Sequence, residues 1–317
     1  MKINLFSIYH IIKRWKLSNG IIKTSNLIST EIKMTKCLLL GPGKEKGLLL
    51  IGSIFVLQMK GDLVKYEKFI GVSVGALLAT LIVLELTLFE LYHEAIDFNI
   101  FDNLRDFNIG LLTKSSGIIL PSKIQARIDF WMRKRFSKSL TFSELYQMTG
   151  KHLIIVATDN GDRDNPVPIY FDYLRTPNYF VSQAVVESCL IPGLFSTKNY
   201  SYIDGSFADP FPIQEIDEND DADAFLLKDT HKAIPSDSLV NSLEDIIDAM
   251  SITTKILIRY KMLILKRPVR IFSLKHVVKE TNWRNLTGIY LNQEEKYQMV
   301  NDGILQTCKL IKFSNSD

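Results

Sequence analysis

Along the chain, short dense apolar runs alternate with longer stretches in which apolar positions recur every three or four residues. The dense runs read as strands and the periodic stretches as helices. The first strand is Lys36-Cys37-Leu38-Leu39-Leu40, followed by a glycine-containing turn from Gly41 to Gly47 and a helix from Leu48 to Met59. The same plan repeats: a strand ending in Lys68-Phe69-Ile70, a sharp turn, and a buried amphipathic helix from Ala76 to Tyr92 that carries Glu85 and Glu90. Residues 93 to 150 lean helical, with a capping signal at Thr141-Phe142-Ser143-Glu144. Strands are then expected over His152–Ala157, Ile169–Phe171, Tyr200–Ile203, Asp223–Leu227 and Val269–Phe272. Helices are expected over 180–188, 239–265 and 293–312. This alternation predicts an α/β sandwich with a largely parallel central sheet flanked by helices. Without a repeat or a linker, residues 36–312 read as one domain, preceded by an N-terminal extension (1–35) and followed by a short tail (313–317).

Composition narrows the function classes. With 317 residues and 46% hydrophobic content, the chain has ample material for a buried core. A net charge of +3, from 38 basic against 35 acidic residues, is too balanced for a protein whose main partner is nucleic acid. Cys37, Cys189 and Cys308 are far apart and lack metal-ligand spacing, as reduced thiols do. No apolar run is long enough to span a bilayer and no secretory signal is legible, so a cytoplasmic location is expected, peripheral to membranes at most. The extension places Leu5, Ile8, Ile12 and Trp15 at helical spacing among Lys2, Lys13, Arg14, Lys16, Lys23 and Lys33. It suits either an anionic membrane surface or a helix packed on the domain. The stretch from Thr254 to Lys275 has the same two readings. Glu215, Asp217, Glu218, Asp220, Asp221 and Asp223 lack the pattern of a calcium loop and read as a solvated acidic loop.

Candidate chemistry begins at Gly71-Val72-Ser73-Val74-Gly75, where strand gives way to helix. Glycines flanking a serine at such a bend let the chain turn sharply and present the hydroxyl at a helix N-terminus, the geometry of a nucleophile elbow. A serine hydroxyl needs a neighbouring base. Among the histidines, His231 and His276 lie late enough in the chain to complete a histidine-dependent triad. The competing partner is Asp204, at the end of an apolar strand and before Gly205 and a proline-punctuated loop. An Asp-Gly pair there is also compatible with a plain hairpin turn.

Taken together, the glycine-containing loop before Leu48, Gly71-Val72-Ser73-Val74-Gly75 and Asp204-Gly205 resemble the patatin-like phospholipases. Thr141–Tyr146 with Leu153–Thr158, Ser188-Cys189-Leu190-Ile191-Pro192-Gly193-Leu194-Phe195, and the helix from Glu294 to Leu310 extend the resemblance over about residues 36–312. The resemblance implies a three-layer sandwich and a lipid acyl hydrolase of the phospholipase A or lysophospholipase type. It implies Ser73 as nucleophile, Asp204 as general base, no metal or other cofactor, and a phospholipid or other acyl-lipid substrate met at a membrane surface. It says nothing of oligomeric state. Gly43 and Lys44 take the family's oxyanion-hole positions, with Lys46, Gly47, Gly71, Gly75 and Gly205 supporting the motifs. Two departures stand out: Pro42, which has no N–H to donate, and Lys44, which puts a side chain where the family has glycine. They imply a second reading, a catalytically impaired lipid-binding or interaction protein. Val74 and Ser206 stand where the family often has alanine, and glycine or alanine, respectively; both changes are modest in size.

Overall fold

The computed structural model describes residues 35–43, 46–97, 117–119, 121–159, 161, 166–228, 261, 269–275 and 291–313. The strands are β1 (Lys36–Leu40), β2 (Lys68–Val72), β3 (Gly117–Ile119), β4 (His152–Asp159), β5 (Val167–Phe171), β6 (Gly193–Phe195), β7 (Tyr202–Asp204), β8 (Asp221–Lys228) and β9 (Val269–Lys275). The helices are α1 (Gly47–Lys60), α2 (Val74–Val83), α3 (Leu88–Asp97), α4 (Ser122–Phe136), α5 (Phe142–Thr149), α6 (Val181–Ser188) and α7 (Gln293–Phe313).

The central sheet runs β5-β4-β2-β1-β8-β9, with β7 also paired to β4. Neighbours from β4 through β9 are parallel, whereas β5 and β7 join β4 antiparallel. Alternating residues of β1 feed two separate cores, Leu38 and Leu40 on one face and Cys37 and Leu39 on the other. A strand buried on both faces must be apolar throughout, which is why β1 reads as a continuous run. The first core takes in α1, α2 and α7; the second is closed by Phe211, Ile213 and Ile216. Inside the first, Ser53 of α1 and Thr307 of α7 pair their buried hydroxyls at 2.7 Å. The result is the α/β sandwich expected from the alternation of elements.

Two expectations need correction. The helix expected over Ala76–Tyr92 is two helices: α2 stops at Val83, and Glu85 turns the chain at φ 59°. Thr87 then opens α3, its N–H donating to Glu90 Oε2 at 2.9 Å while the Glu90 N–H returns to Thr87 Oγ1 at 3.2 Å. This reciprocal cap is legible as Thr-x-x-Glu, but it lies inside an apolar stretch that hides it. The acidic residues are only in part a solvated loop: Asp217 and Glu218 are exposed. Asp221 and Asp223 belong to β8, and Asp220 and Asp223 are buried. Lys68 pairs with Asp217 at 2.7 Å and Asp220 at 3.3 Å, and Arg270 pairs with Asp223 at 2.7 Å. The cations that β1, β2 and β9 carry near their starts recruit these acids, a pairing invisible until the strands are side by side. No group of metal-ligating side chains occurs among the described residues. No helix among them is long and apolar enough to cross a membrane. The N-terminal extension (all but Thr35) and most of the 254–275 stretch lie outside the described residues; of the latter, Lys261 and Arg270 are engaged with Asp209 and Asp223.

Candidate active site

The elbow forms where β2 ends at Val72 and α2 begins at Val74. Ser73, the residue between them, sits at φ 56°, ψ −125°. Non-glycine residues seldom adopt that conformation, which costs about 1–3 kcal/mol and persists only where its surroundings enforce it. Three contacts enforce it. The Ser73 carbonyl accepts the N–H groups of Ala76 and Leu77 at 2.8 and 3.2 Å. The Ser73 N–H donates to Ser188 Oγ at 2.8 Å, and that hydroxyl donates to the Val156 carbonyl of β4 at 2.6 Å. Gly75 lets the start of α2 press on the end of β1, since a Cβ there would lie 2.1 Å from the Leu40 carbonyl oxygen. Gly71 lies within β2, opposite Leu40 on one side and Ile155 on the other.

Asp204 reaches the elbow by way of β4. In the parallel pairing, Val72 is the last β2 residue opposite β4, facing Val156. Where β2 turns away, β7 takes over the same edge of β4 and sets Asp204 opposite Ala157. Consecutive rungs of one strand therefore hold the end of β2 and the aspartate. Thr158 fixes the second half of the arrangement: its hydroxyl donates to the Asp204 carbonyl at 2.8 Å and accepts the Ala208 N–H at 3.1 Å. Gly205 is needed for the approach, because a Cβ would fall 2.2 Å from the Val156 carbonyl oxygen. The Asp-Gly pair thus closes no hairpin; it opens a short 3-10 turn, Gly205–Phe207, capped by Asp204 itself.

In the assembled site, Ser73 Oγ donates to Asp204 Oδ2 at 2.6 Å. Ser73 is 6% exposed and Asp204 0%. The other carboxylate oxygen, Oδ1, accepts the Ser206 N–H at 2.9 Å and the Ser206 hydroxyl at 2.6 Å. Burial pushes the Cys189 thiol well above its ordinary value, with the Asp204 carboxylate adding to the rise and a hydrogen bond with Ser73 opposing it. That places a neutral thiol beside both groups. The start of α1 also abuts the elbow, for a Cβ on Gly47 would lie 2.4 Å from Val74 Cγ2. Two helix N-termini thus converge on Ser73, a setting that favours negative charge. Before α1, Gly43 accepts the Lys46 N–H at 3.0 Å as the loop turns from β1 into the helix. Lys44 lies outside the described residues.

Two histidines are described, and neither adjoins Ser73. His152 begins β4 opposite Lys68, four rungs or ~13 Å from the Val72 end. His93 is on α3 with Asp97 at 3.1 Å. His231 and His276 lie outside the described residues. Sequence reasoning missed the roles of Ser188, Thr158 and Ser206. Ser188 and Thr158 sit in the segments that carried the resemblance, but nothing local shows what their hydroxyls reach. Ser206 reads as a change of size, whereas the structure shows its hydroxyl donating to Asp204 Oδ1.

The sequence profile of the family described as Patatin-like phospholipase matches residues 38–217. The chain is 31% identical over 194 residues to the probable lipid hydrolase 463L of Invertebrate iridescent virus 6, covering 58% of this chain. It spans 64% of that relative's length. Among solved structures it is similar to the type III effector protein ExoU, with a TM-score of 0.54 and 14% identity over 89% of this chain and 54% of that one. VipD from Legionella pneumophila matches with a TM-score of 0.48 and 15% identity over 94% of this chain and 72% of that one. At such identity the likeness to ExoU is one of fold.

Proposed function

Because the chain belongs to the patatin-like phospholipase family, we propose that it is a lipid acyl hydrolase that cleaves a carboxylic ester of phospholipid or a related acyl lipid, with Ser73 as nucleophile and Asp204 as base. The observation that carries this reading is the 2.6 Å hydrogen bond from a buried, strained elbow serine to a buried carboxylate.

As Ser73 Oγ attacks the ester carbonyl, its proton passes to Asp204 Oδ2. The tetrahedral oxyanion develops where the N-termini of α1 and α2 meet, and the amides of Gly43 and Lys44 are the proposed donors to it. Collapse expels the alcohol half of the lipid, which takes the proton from Asp204 and leaves the acyl group on Ser73. Water then attacks the acyl-enzyme while Asp204 accepts its proton, and the Ser73 alkoxide leaves with that proton as the fatty acid departs. One carboxylate serves both halves, which requires it to stay within hydrogen-bond reach throughout. Lys46 and Gly47 would hold the loop against α2, and Gly71, Gly75 and Gly205 would keep the packing close.

Fatty-acid release from mixed phosphatidylcholine and phosphatidylglycerol vesicles tests the reading. Release is expected from the wild type and is expected to fall by about 10³-fold or more in both Ser73→Ala and Asp204→Asn. Retention of activity in Asp204→Asn with loss in His231→Ala or His276→Ala would transfer the base role to histidine. Pro42 favours one other reading. With no N–H at that position, the oxyanion loop has one fewer potential donor, and loss of one typically costs about 10²–10³ in turnover. Vesicle binding without release would identify a lipid-binding member of the family that has lost catalysis.

A further inference from the structure

Ser206 does more than fill space after the Asp204-Gly205 pair. Its backbone N–H and its hydroxyl both donate to Asp204 Oδ1, at 2.9 and 2.6 Å, while the Ser73 hydroxyl holds Oδ2. The two carboxylate oxygens are therefore inequivalent: one faces the nucleophile, the other is held by its own loop. We propose that the Ser206 hydroxyl is a positioning group that directs the Ser73 proton to Oδ2 and lowers the pH at which the Asp204 base becomes available. This inference rests on the dyad reading of Ser73 and Asp204.

A hydroxyl donating to a carboxylate stabilises the charged form. Protonation on Oδ1 would displace a donor supplied by its own loop, whereas protonation on Oδ2 follows the existing Ser73 hydrogen bond and replaces it with the covalent O–H that is later returned to the departing alcohol. The proton therefore stays on the oxygen that faces the chemistry. The sign follows: with the hydroxyl removed, the carboxylate is less favoured, so Asp204 takes up a proton at higher pH and the acid limb of the rate profile moves up. Losing one such bond corresponds to about one pH unit.

Among the described residues, several titratable groups lie on the elements around Asp204. Cys189, after α6, is neutral. Glu187 of α6 accepts the Tyr179 hydroxyl at 2.7 Å. Asp159 of β4 lies opposite Tyr202, two rungs from Asp204. Asp209, beyond the 3-10 turn, is bound by Tyr170 at 2.6 Å and by Lys261. Ser206 itself is partly exposed, so its truncation leaves no buried void.

The test is the pH dependence of kcat/KM on a soluble short-chain aryl ester for the full chain and its Ser206→Ala and Ser206→Thr variants. Ser206→Ala is expected to raise the acid-limb midpoint by about one pH unit with KM changed less than about twofold, and Ser206→Thr to restore the wild-type midpoint. Superimposable profiles for wild type and Ser206→Ala would overturn the inference while leaving the dyad standing. If the wild type turns over no ester, the dyad reading fails separately, and carbon-13 NMR titration of the Asp204 carboxyl still decides the role of Ser206. An upward move in Ser206→Ala sustains it, and coincident titrations overturn it.

Discussion

At the scale of single residues, this site depends on hydroxyls other than that of Ser73. Ser188 takes the N–H of Ser73 and gives its proton to Val156, so one side chain ties the strained elbow to β4. Thr158 ties Asp204 to the same strand two residues later. Because both sit at 0% exposure, water cannot replace the bonds they make. Ser188→Ala would leave a buried N–H and a buried carbonyl each one partner short, at a cost of about 1–3 kcal/mol. It would also release the elbow from its φ of 56°. The expected outcome is a thermal midpoint lowered by several degrees together with a kcat reduced by about 10–100-fold and little change in KM. A kcat preserved in the folded variant would show that the remaining contacts hold the elbow alone. These roles were not legible in the sequence. A Gly-x-Ser-x-Gly motif is local and announces itself, whereas a supporting serine 115 residues away is defined only by what it touches.

At the scale of elements, the sequence was most legible where strand and helix signals are contiguous, as at β1, β2, β4 and α7. It was least legible where one apolar stretch conceals a break. The α2–α3 junction is such a place: Leu84 and Leu86 are buried and continue the apolar pattern, while Glu85 adopts a left-handed conformation that costs an L-residue about 1–2 kcal/mol. Its ion pair with Lys151 at 3.1 Å is exposed and offsets little of this. Glu85→Gly is therefore expected to stabilise the protein by up to about 1 kcal/mol, and Thr87→Ala, which removes the cap of α3, to destabilise it by about 1 kcal/mol. Chemical denaturation of the two variants reads both signs. Equal midpoints would mean that packing of α3 on α1 and α7, rather than the turn, fixes the break.

At the scale of the whole molecule, the two ends of the parallel sheet have different tasks. The strand ends after β1, β2 and β7 gather the elbow, the loop before α1 and Asp204, as crevices at the carboxyl ends of parallel strands do. The opposite end is a network of buried charge. There His152 lies 3.5 Å from Asp172, whose Oδ1 accepts the N–H groups of Leu174 and Arg175 at 2.8 and 2.7 Å. Burial would raise the Asp172 carboxyl, but His152, these N–H groups and Arg175 outweigh it and hold it below its ordinary value. A carboxylate depressed on folding contributes stability above its unfolded value near 3.8, and that contribution is lost as the pH falls through the folded one. Asp172→Asn is therefore expected to lower stability at neutral pH by about 1–3 kcal/mol and to flatten the decline below about pH 4, as followed by denaturation across the acid range. An unchanged acid limb would assign the decline to the other buried carboxylates. By itself, the sequence determined the alternation of strand and helix, the sharp bend at Ser73, the candidate aspartate and the family resemblance. Each is written in neighbouring residues or in short motifs whose periodicity and backbone demands are local. Only the tertiary structure decided that Ser73 and Asp204, 131 residues apart, share a hydrogen bond, because that depends on β4 pairing first with β2 and then with β7 along one edge. It decided equally that Ser206 donates to the second carboxylate oxygen and that acidic residues around Asp220 pair with strand-start cations. Hydrogen bonds and ion pairs are set by distances of a few ångströms between segments whose separation along the chain carries no such information.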